Sequence, residues 1–145
     1  MACLLDTNVL LRILQPHHPH HPIAVAAVET LKAQGERLCI SPQNLVEVWS
    51  VVTRPTQVNG FGWSPGQAAM EVARIQGFFE LLQDDPRIHP AWLRLVSQYG
   101  VSGRQVHDAR LAAVVLVFGV NQILTFNTID FSRYPGVNAV HPSAV

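Results

Sequence analysis

The run Ala2-Cys3-Leu4-Leu5 is apolar at every position and is broken at once by Asp6, Thr7 and Asn8. A strand without a polar alternate is covered on both faces, and that points to a parallel sheet held between two layers of helices. The three residues after it are cap-type residues, able to close a strand and open a helix through Val9, Leu10, Ile13 and Leu14 until Pro16 stops it. In such sheets the functional groups gather at the carboxyl ends of the strands, so the first acidic residue of the chain already stands where a site would be.

The same alternation continues. Residues 16–22 hold three Pro and four His and read as a loop, and residues 23–34 read as a helix with Val25, Val28 and Leu31 inward and Gly35 after its end. Residues 38–40 form a second strand. Ser41 caps a third helix with Pro42 at its first position, running through Leu45, Val48 and Val52 until Pro55. Residues 56–63 read as a loop, and Ser64-Pro65 opens a long apolar-faced helix expected to reach Leu82. A brief strand at residues 87–89, a helix around Trp92, Leu95 and Tyr99, and a helix capped by Ser102 and Gln105 and ending at Gly119 come next. Residues 122–126 and 137–140 are the last strands, with a Pro135-Gly136 turn between them. The expectation is one α/β domain over residues 1–145, a three-layer structure whose parallel sheet is flanked by helices.

Composition narrows the function classes. With 145 residues, 48% of them apolar and 14% charged, the chain has enough core to fold without disulfides or a structural metal. Cys3 and Cys39 both lie in strand runs and are expected to be buried, reduced thiols, which suits a cytoplasmic protein. Asp6 and Arg12 interrupt the opening apolar run, so no signal peptide is expected, and residues 111–120 are too few to span a bilayer. Ten basic residues balance ten acidic ones, so nucleic acid would have to be met by a local patch rather than by an overall field. Nine of the ten cations are Arg, the better residue for bidentate phosphate contact.

Of the ten acidic residues, Glu29, Glu36, Glu71, Glu80, Asp84 and Asp85 suit polar helix faces or loops. Asp6 at the end of the first strand is either a helix cap or a functional acid, and the second reading is preferred because Thr7 and Asn8 could cap equally well. Glu47 has Gln43, Asn44, Ser50 and Arg54 as helical neighbours, which also fits a solvated stripe. Asp108 lies over the apolar positions Leu111, Ala112 and Val115, and with Ser102 as cap it would sit beyond the first turn, so it wants a cation. Asn127, Thr128 and Asp130 follow a strand and by themselves make a plain turn. Gathered at one sheet edge, these carboxylates repel unless divalent cations neutralise them, and an all-oxygen set suits Mg²⁺ or Mn²⁺ rather than zinc.

The motifs Leu4-Leu5-Asp6-Thr7-Asn8, Ser41-Pro42-Gln43-Asn44-Leu45-Val46-Glu47, Val106-His107-Asp108-Ala109-Arg110 and residues 123–131, which run from Ile123 through Asn127 to Asp130 and Phe131, together resemble the PIN domain. More narrowly they are similar to the VapC-type ribonuclease toxins of bacterial toxin–antitoxin pairs. The resemblance covers nearly the whole chain. It implies a five-stranded parallel sheet, metal-dependent endoribonuclease activity leaving a 5′-phosphate and a 3′-hydroxyl, and inhibition by a small antitoxin. It also implies Asp6, Glu47 and Asp108 as metal-binding acids, with Thr7 or Asn8 assisting. Asn127 stands where the family commonly has a fourth acid, and Asp130 is the candidate substitute.

Arg104 and Arg110 read first as surface residues and second as phosphate contacts. Residues 17–21 hold four His and read as a loop before they read as a transition-metal site. His107 either orients its neighbour Asp108 or is solvated. Phe61, Trp63, Phe78 and Phe79 suit a homodimer or antitoxin contact. A haloacid-dehalogenase-like phosphatase is excluded because position 8 is Asn rather than Asp, and no P-loop is present. The remaining rival is a PIN-fold binding module with little catalysis, which the neutral charge and Asn127 favour.

Overall fold

The computed structural model describes residues 1–145. Five parallel strands form one sheet in the order β3-β2-β1-β4-β5, with β1 Ala2–Leu5, β2 Arg37–Ile40, β3 Glu80–Leu81, β4 Gln122–Leu124 and β5 Ala139–Val140. All four residues of β1 are buried, as a central strand requires. Alternate residues feed two cores. Leu4, Cys39 and Ile123 pack against helices α5 (Ile88–Gln98) and α6 (Gln105–Phe118), while Cys3, Leu5, Ile40 and Leu124 face α1 (Thr7–Ile13), α2 (His21–Ala33), α3 (Pro42–Val52) and α4 (Pro65–Phe78). The three-layer α/β expectation is what the chain adopts.

The chain leaves β1 toward β2 and β3 on one side and later returns to β4 and β5 on the other. The strand order therefore reverses between β1 and β4, and a crevice opens there beyond their carboxyl ends. Asp6 stands at the end of β1 and Thr125 at the end of β4, and the Asp6 N–H donates to the Leu124 carbonyl across the gap at 2.9 Å. Both cysteines are free and fully buried, and burial pushes their thiols up to about 12 for Cys3 and about 11 for Cys39, which makes them inert.

Several element boundaries differ from the sequence expectation. Helix α4 stops at Phe78, and residues 80–81 become β3 because the free edge of β2 offers ladder partners, with Cys39 opposite Glu80 and the Leu82 N–H donating to Ile40. Residues 87–89 are not a strand. Asp85 accepts from the Arg87 backbone and turns the chain directly into α5. Ser102 does not cap α6, which starts at Gln105 with Arg104 as its N-cap, because Gly103 takes a left-handed φ of 64° and breaks the chain direction between them. Ser41 and Ser64 do cap their helices, each in a capping box, with Asn44 and Gln67 as the reciprocal partners. The last two strands, β4 and β5, are shorter than expected, at three and two residues.

Candidate active site

Asp6 lies at the end of the fully buried β1 and is itself only 6% exposed. Its carboxylate accepts from the Thr7 N–H at 2.7 Å, from Thr125 Oγ1 at 2.7 Å and weakly from Asn8 Nδ2 at 3.4 Å. It is the N-cap of α1, so capping and placement in the crevice are one arrangement rather than rival readings. Burial still pushes its pKa up to about 6, with Glu47 and Asp130 raising it further against the lowering effect of the Thr125 and Thr7 hydrogen bonds.

Helix α3 presents Glu47 from the second wall. Thr7 Oγ1 donates to Glu47 Oε1 at 2.6 Å while accepting from Asn44 Nδ2 at 3.1 Å, and Gln43 Nε2 reaches Glu47 Oε2 at 3.3 Å. Asn44 is therefore no part of a solvated stripe. It is fully buried and joins the Ser41 cap to the Thr7 hydroxyl. Gln43 also donates to the His107 carbonyl at 2.8 Å, which ties the start of α3 to the start of α6.

Asp108 comes from α6. With α6 starting at Gln105, Asp108 falls in the first turn, where the helix dipole favours a carboxylate, contrary to the expectation that it lay beyond that turn. Even so its pKa is pushed up to about 7, first by burial and then by Asp6, Asp130 and Glu47, with Arg104 pulling the other way. Asp130, on the short helix Thr128–Phe131, thus lies close enough to Asp6 and Asp108 to act on both.

These side chains share one cleft of about 780 Å³, lined by Asp6, Thr7, Glu47, Asp108, Asn127 and Asp130. All the candidate site residues are brought together. None of the four carboxylates forms an ion pair, although the chain forms four salt bridges elsewhere. No three His, Cys, Asp or Glu side chains lie close enough together to hold a metal ion among them. The donor set nonetheless suits a hard cation that keeps several waters and takes only one or two carboxylates directly.

Sequence reasoning missed Thr125. Its hydroxyl, fully buried, donates to Asp6 and accepts from the Asn127 N–H at 3.0 Å, so it joins Asp6 to the loop that carries Asn127 and Asp130. A lone polar residue at the carboxyl end of a buried strand was the available signal. Arg110 is committed to protein partners, Gln43 Oε1 at 3.2 Å and Asp84 at 3.3 Å, while Arg104 lines the cleft. His107 lines the cleft, and its side chain forms no hydrogen bond to Asp108. The histidines at 17–21 engage their surroundings rather than a common point: His18 Nδ1 accepts from the His20 N–H, His21 Nδ1 meets the Arg12 carbonyl, and the His20 ring stacks on Phe126.

A second concavity of about 510 Å³, mostly apolar, runs between α1, α2 and α4 and is lined by Leu14, Val25, Val28, Trp63, Phe78 and Phe79. Phe78 is 69% exposed at its edge. Phe61 lies outside it and packs edge to face on Trp63.

The family model for the PIN domain matches residues 3–137. The chain belongs to the PIN domain family. No curated protein sequence matches this PIN domain significantly. Among solved structures it is similar to VapBC2 from Rickettsia felis bound to a DNA fragment from their promoter, at 18% identity and a TM-score of 0.74 over 97% of this chain and 98% of that one. It is similar to a toxin–antitoxin complex from Klebsiella pneumoniae, at 20% identity and a TM-score of 0.64 over 99% of each chain. It is also similar to Mycobacterium tuberculosis VapC20, a sarcin–ricin loop cleaving toxin, at 16% identity and a TM-score of 0.62 over 93% of this chain and 98% of that one. At these identities the likeness is one of fold. No helix of this PIN domain is long and apolar enough to cross a membrane.

Proposed function

We propose that this PIN domain is an endoribonuclease dependent on Mg²⁺ or Mn²⁺ and the toxin of a toxin–antitoxin pair. The observation that carries the reading is the cleft itself: Asp6, Glu47, Asp108 and Asp130 line it together and none of them is in an ion pair. Repelling carboxylates held this way lower the stability of the protein alone and favour a divalent ion. Asp6, Glu47 and Asp108 would hold the ion, one or two of them directly and the rest through its waters, and Asp130 would reach it in the same way in place of the acid that Asn127 does not supply. When bound, such an ion supplies Lewis acidity toward the phosphate and a water of lowered pKa.

The residues of the chain do the rest. Thr125 and the Thr7 N–H fix the Asp6 carboxylate, and the Thr7 hydroxyl fixes Glu47. Charged oxygens held by such partners keep their orientation without reorganising during the reaction. The reaction is in-line displacement at phosphorus. The oxygen of water bonds to phosphorus, the bond to O3′ breaks, and O3′ leaves with a proton, giving a 5′-phosphate and a 3′-hydroxyl.

The apolar groove between α1, α2 and α4 is the surface assigned to the antitoxin, in keeping with relatives solved as toxin–antitoxin complexes. Its rim carries Glu29 and Glu71 beside Lys32 and Arg74, which suits an amphipathic helix with mixed charge. A homodimer is the expected state of the toxin. A catalytically weak binding module is the second reading, and Asn127 at the fourth acidic position is the observation in its favour.

Incubation of a structured RNA pool with the protein and Mg²⁺ or Mn²⁺, beside Asp108→Asn prepared identically, tests the first reading. Metal-dependent cutting to 5′-phosphate ends that the variant lacks is the expected result. No cutting by either protein leaves the binding module.

A further inference from the structure

Six of the ten basic side chains hold a hydrogen-bond partner within the protein. Arg54 and Arg104 hold none, and they are the two basic residues that line the acidic cleft. An unpaired guanidinium beside carboxylates that it does not bridge is a group kept free for an incoming anion. The two come from different walls, Arg104 as the N-cap of α6 and Arg54 just beyond the end of α3.

Arg54 is also fixed in place. Seven residues after Glu47 and just past the end of α3, it lines the same cleft, and its backbone is gripped by the following loop. The Gly62 N–H donates to the Arg54 carbonyl at 2.9 Å, and the Trp63 N–H to the Val52 carbonyl at 2.8 Å. The loop can close this tightly because residue 60 is glycine: a Cβ there would run into the Arg54 carbonyl. Asn59, with φ of 63°, makes the sharp reversal that precedes it. The backbone of Arg54 is locked while its side chain is left without a partner, a division expected of a binding residue rather than a solubilising one.

We propose that Arg54 and Arg104 bind the RNA phosphates flanking the scissile one, on either wall of the cleft, and so set how the strand lies across the carboxylates. The proposal rests on the endoribonuclease reading. Neither residue is asked to take part in bond breaking, so their loss should raise KM rather than lower kcat.

The test is steady-state cleavage of one structured RNA at several salt concentrations between about 50 and 200 mM, using the native protein, Arg54→Gln, Arg104→Gln and Arg54→Lys. Each Gln variant is expected to raise KM roughly ten-fold with kcat within about two-fold, as for the loss of one charge-assisted hydrogen bond. The plot of log kcat/KM against log salt should become shallower by about 0.7 per lost contact on single-stranded RNA. A merely structural role would not change that slope. Arg54→Lys should keep the slope and raise KM less than Arg54→Gln does. Unchanged KM and unchanged slope in both Gln variants, with native cutting intact, would overturn the proposal and leave the nuclease standing. A native protein that neither cuts nor binds RNA overturns both.

Discussion

Asp6 is held by three donors, of which Thr125 is the strongest side-chain partner, and the consequences of removing that hydroxyl are specific. Thr125→Val keeps the volume but leaves one buried carboxylate oxygen with only a long contact to Asn8, at a cost of about 1–3 kcal/mol measurable by denaturant melting. Because the Thr125 bond lowers the Asp6 pKa, its loss also moves the acidic limb of the pH–rate profile to higher pH. Thr7→Val acts on Glu47 instead and, on the proposed reading of Glu47 as a metal-holding acid, is expected to lower activity by roughly ten- to a hundred-fold, as the loss of such an outer partner does. Asp6 and Asp108 were legible in the sequence because a carboxylate at a strand end or on an apolar stripe is conspicuous, whereas Glu47 and Asp130 also fitted a solvated stripe and a plain turn and were singled out by the resemblance to the PIN domain. Thr125 and Arg54 were not, since a neutral hydroxyl in a strand and an arginine at a helix end each have an ordinary explanation until their partners, or lack of them, are known.

At the scale of elements, the helix starts decide where the acids sit. Ser41 caps α3 through Asn44, and Asn44 passes the contact on to Thr7, so Ser41→Ala should cost about 1 kcal/mol and loosen the Glu47 wall as well. Ser102→Ala should leave thermal stability unchanged within about 0.5 kcal/mol, because α6 begins at Gln105 without it. Comparing the two melts checks this pair directly. Both serines fit the same local pattern, and what separates them is Gly103, whose left-handed backbone takes Ser102 out of line with the helix. Strand β3 escaped the sequence for a different reason: two residues carry no periodicity, and their conformation is set by the edge of β2. Helices α3 and α6 were legible because burial of a whole face imposes a pattern on many positions, and β1 because all four of its residues are apolar and buried.

For the whole molecule, the sheet reversal between β1 and β4 gathers like charges that the fold itself does not neutralise. Asp6 and Asp108 both have folded pKa values above their ordinary ones, about 6 and about 7 against 3.8. A raised carboxyl pKa means that the protonated form is favoured on folding. The contribution of these groups is therefore fully present below about pH 4 and is lost as pH rises through about 6 and 7. Melting of the metal-free protein at a series of pH values should show stability falling over that window by a few kcal/mol, roughly 3 of it from the buried Asp6 and a smaller share from Asp108, whose partial exposure screens its shift. Saturating Mg²⁺ should remove most of the fall. The most direct measurement is the melting temperature at about pH 7.5, without and with Mn²⁺, for the native protein and Asp108→Asn. The account predicts a metal-dependent rise in the native protein, and in the variant a higher starting temperature with little or no rise, because one repelling charge and one ligand are gone together. An equal rise in both proteins, or a variant no more stable than the native protein without metal, would contradict it.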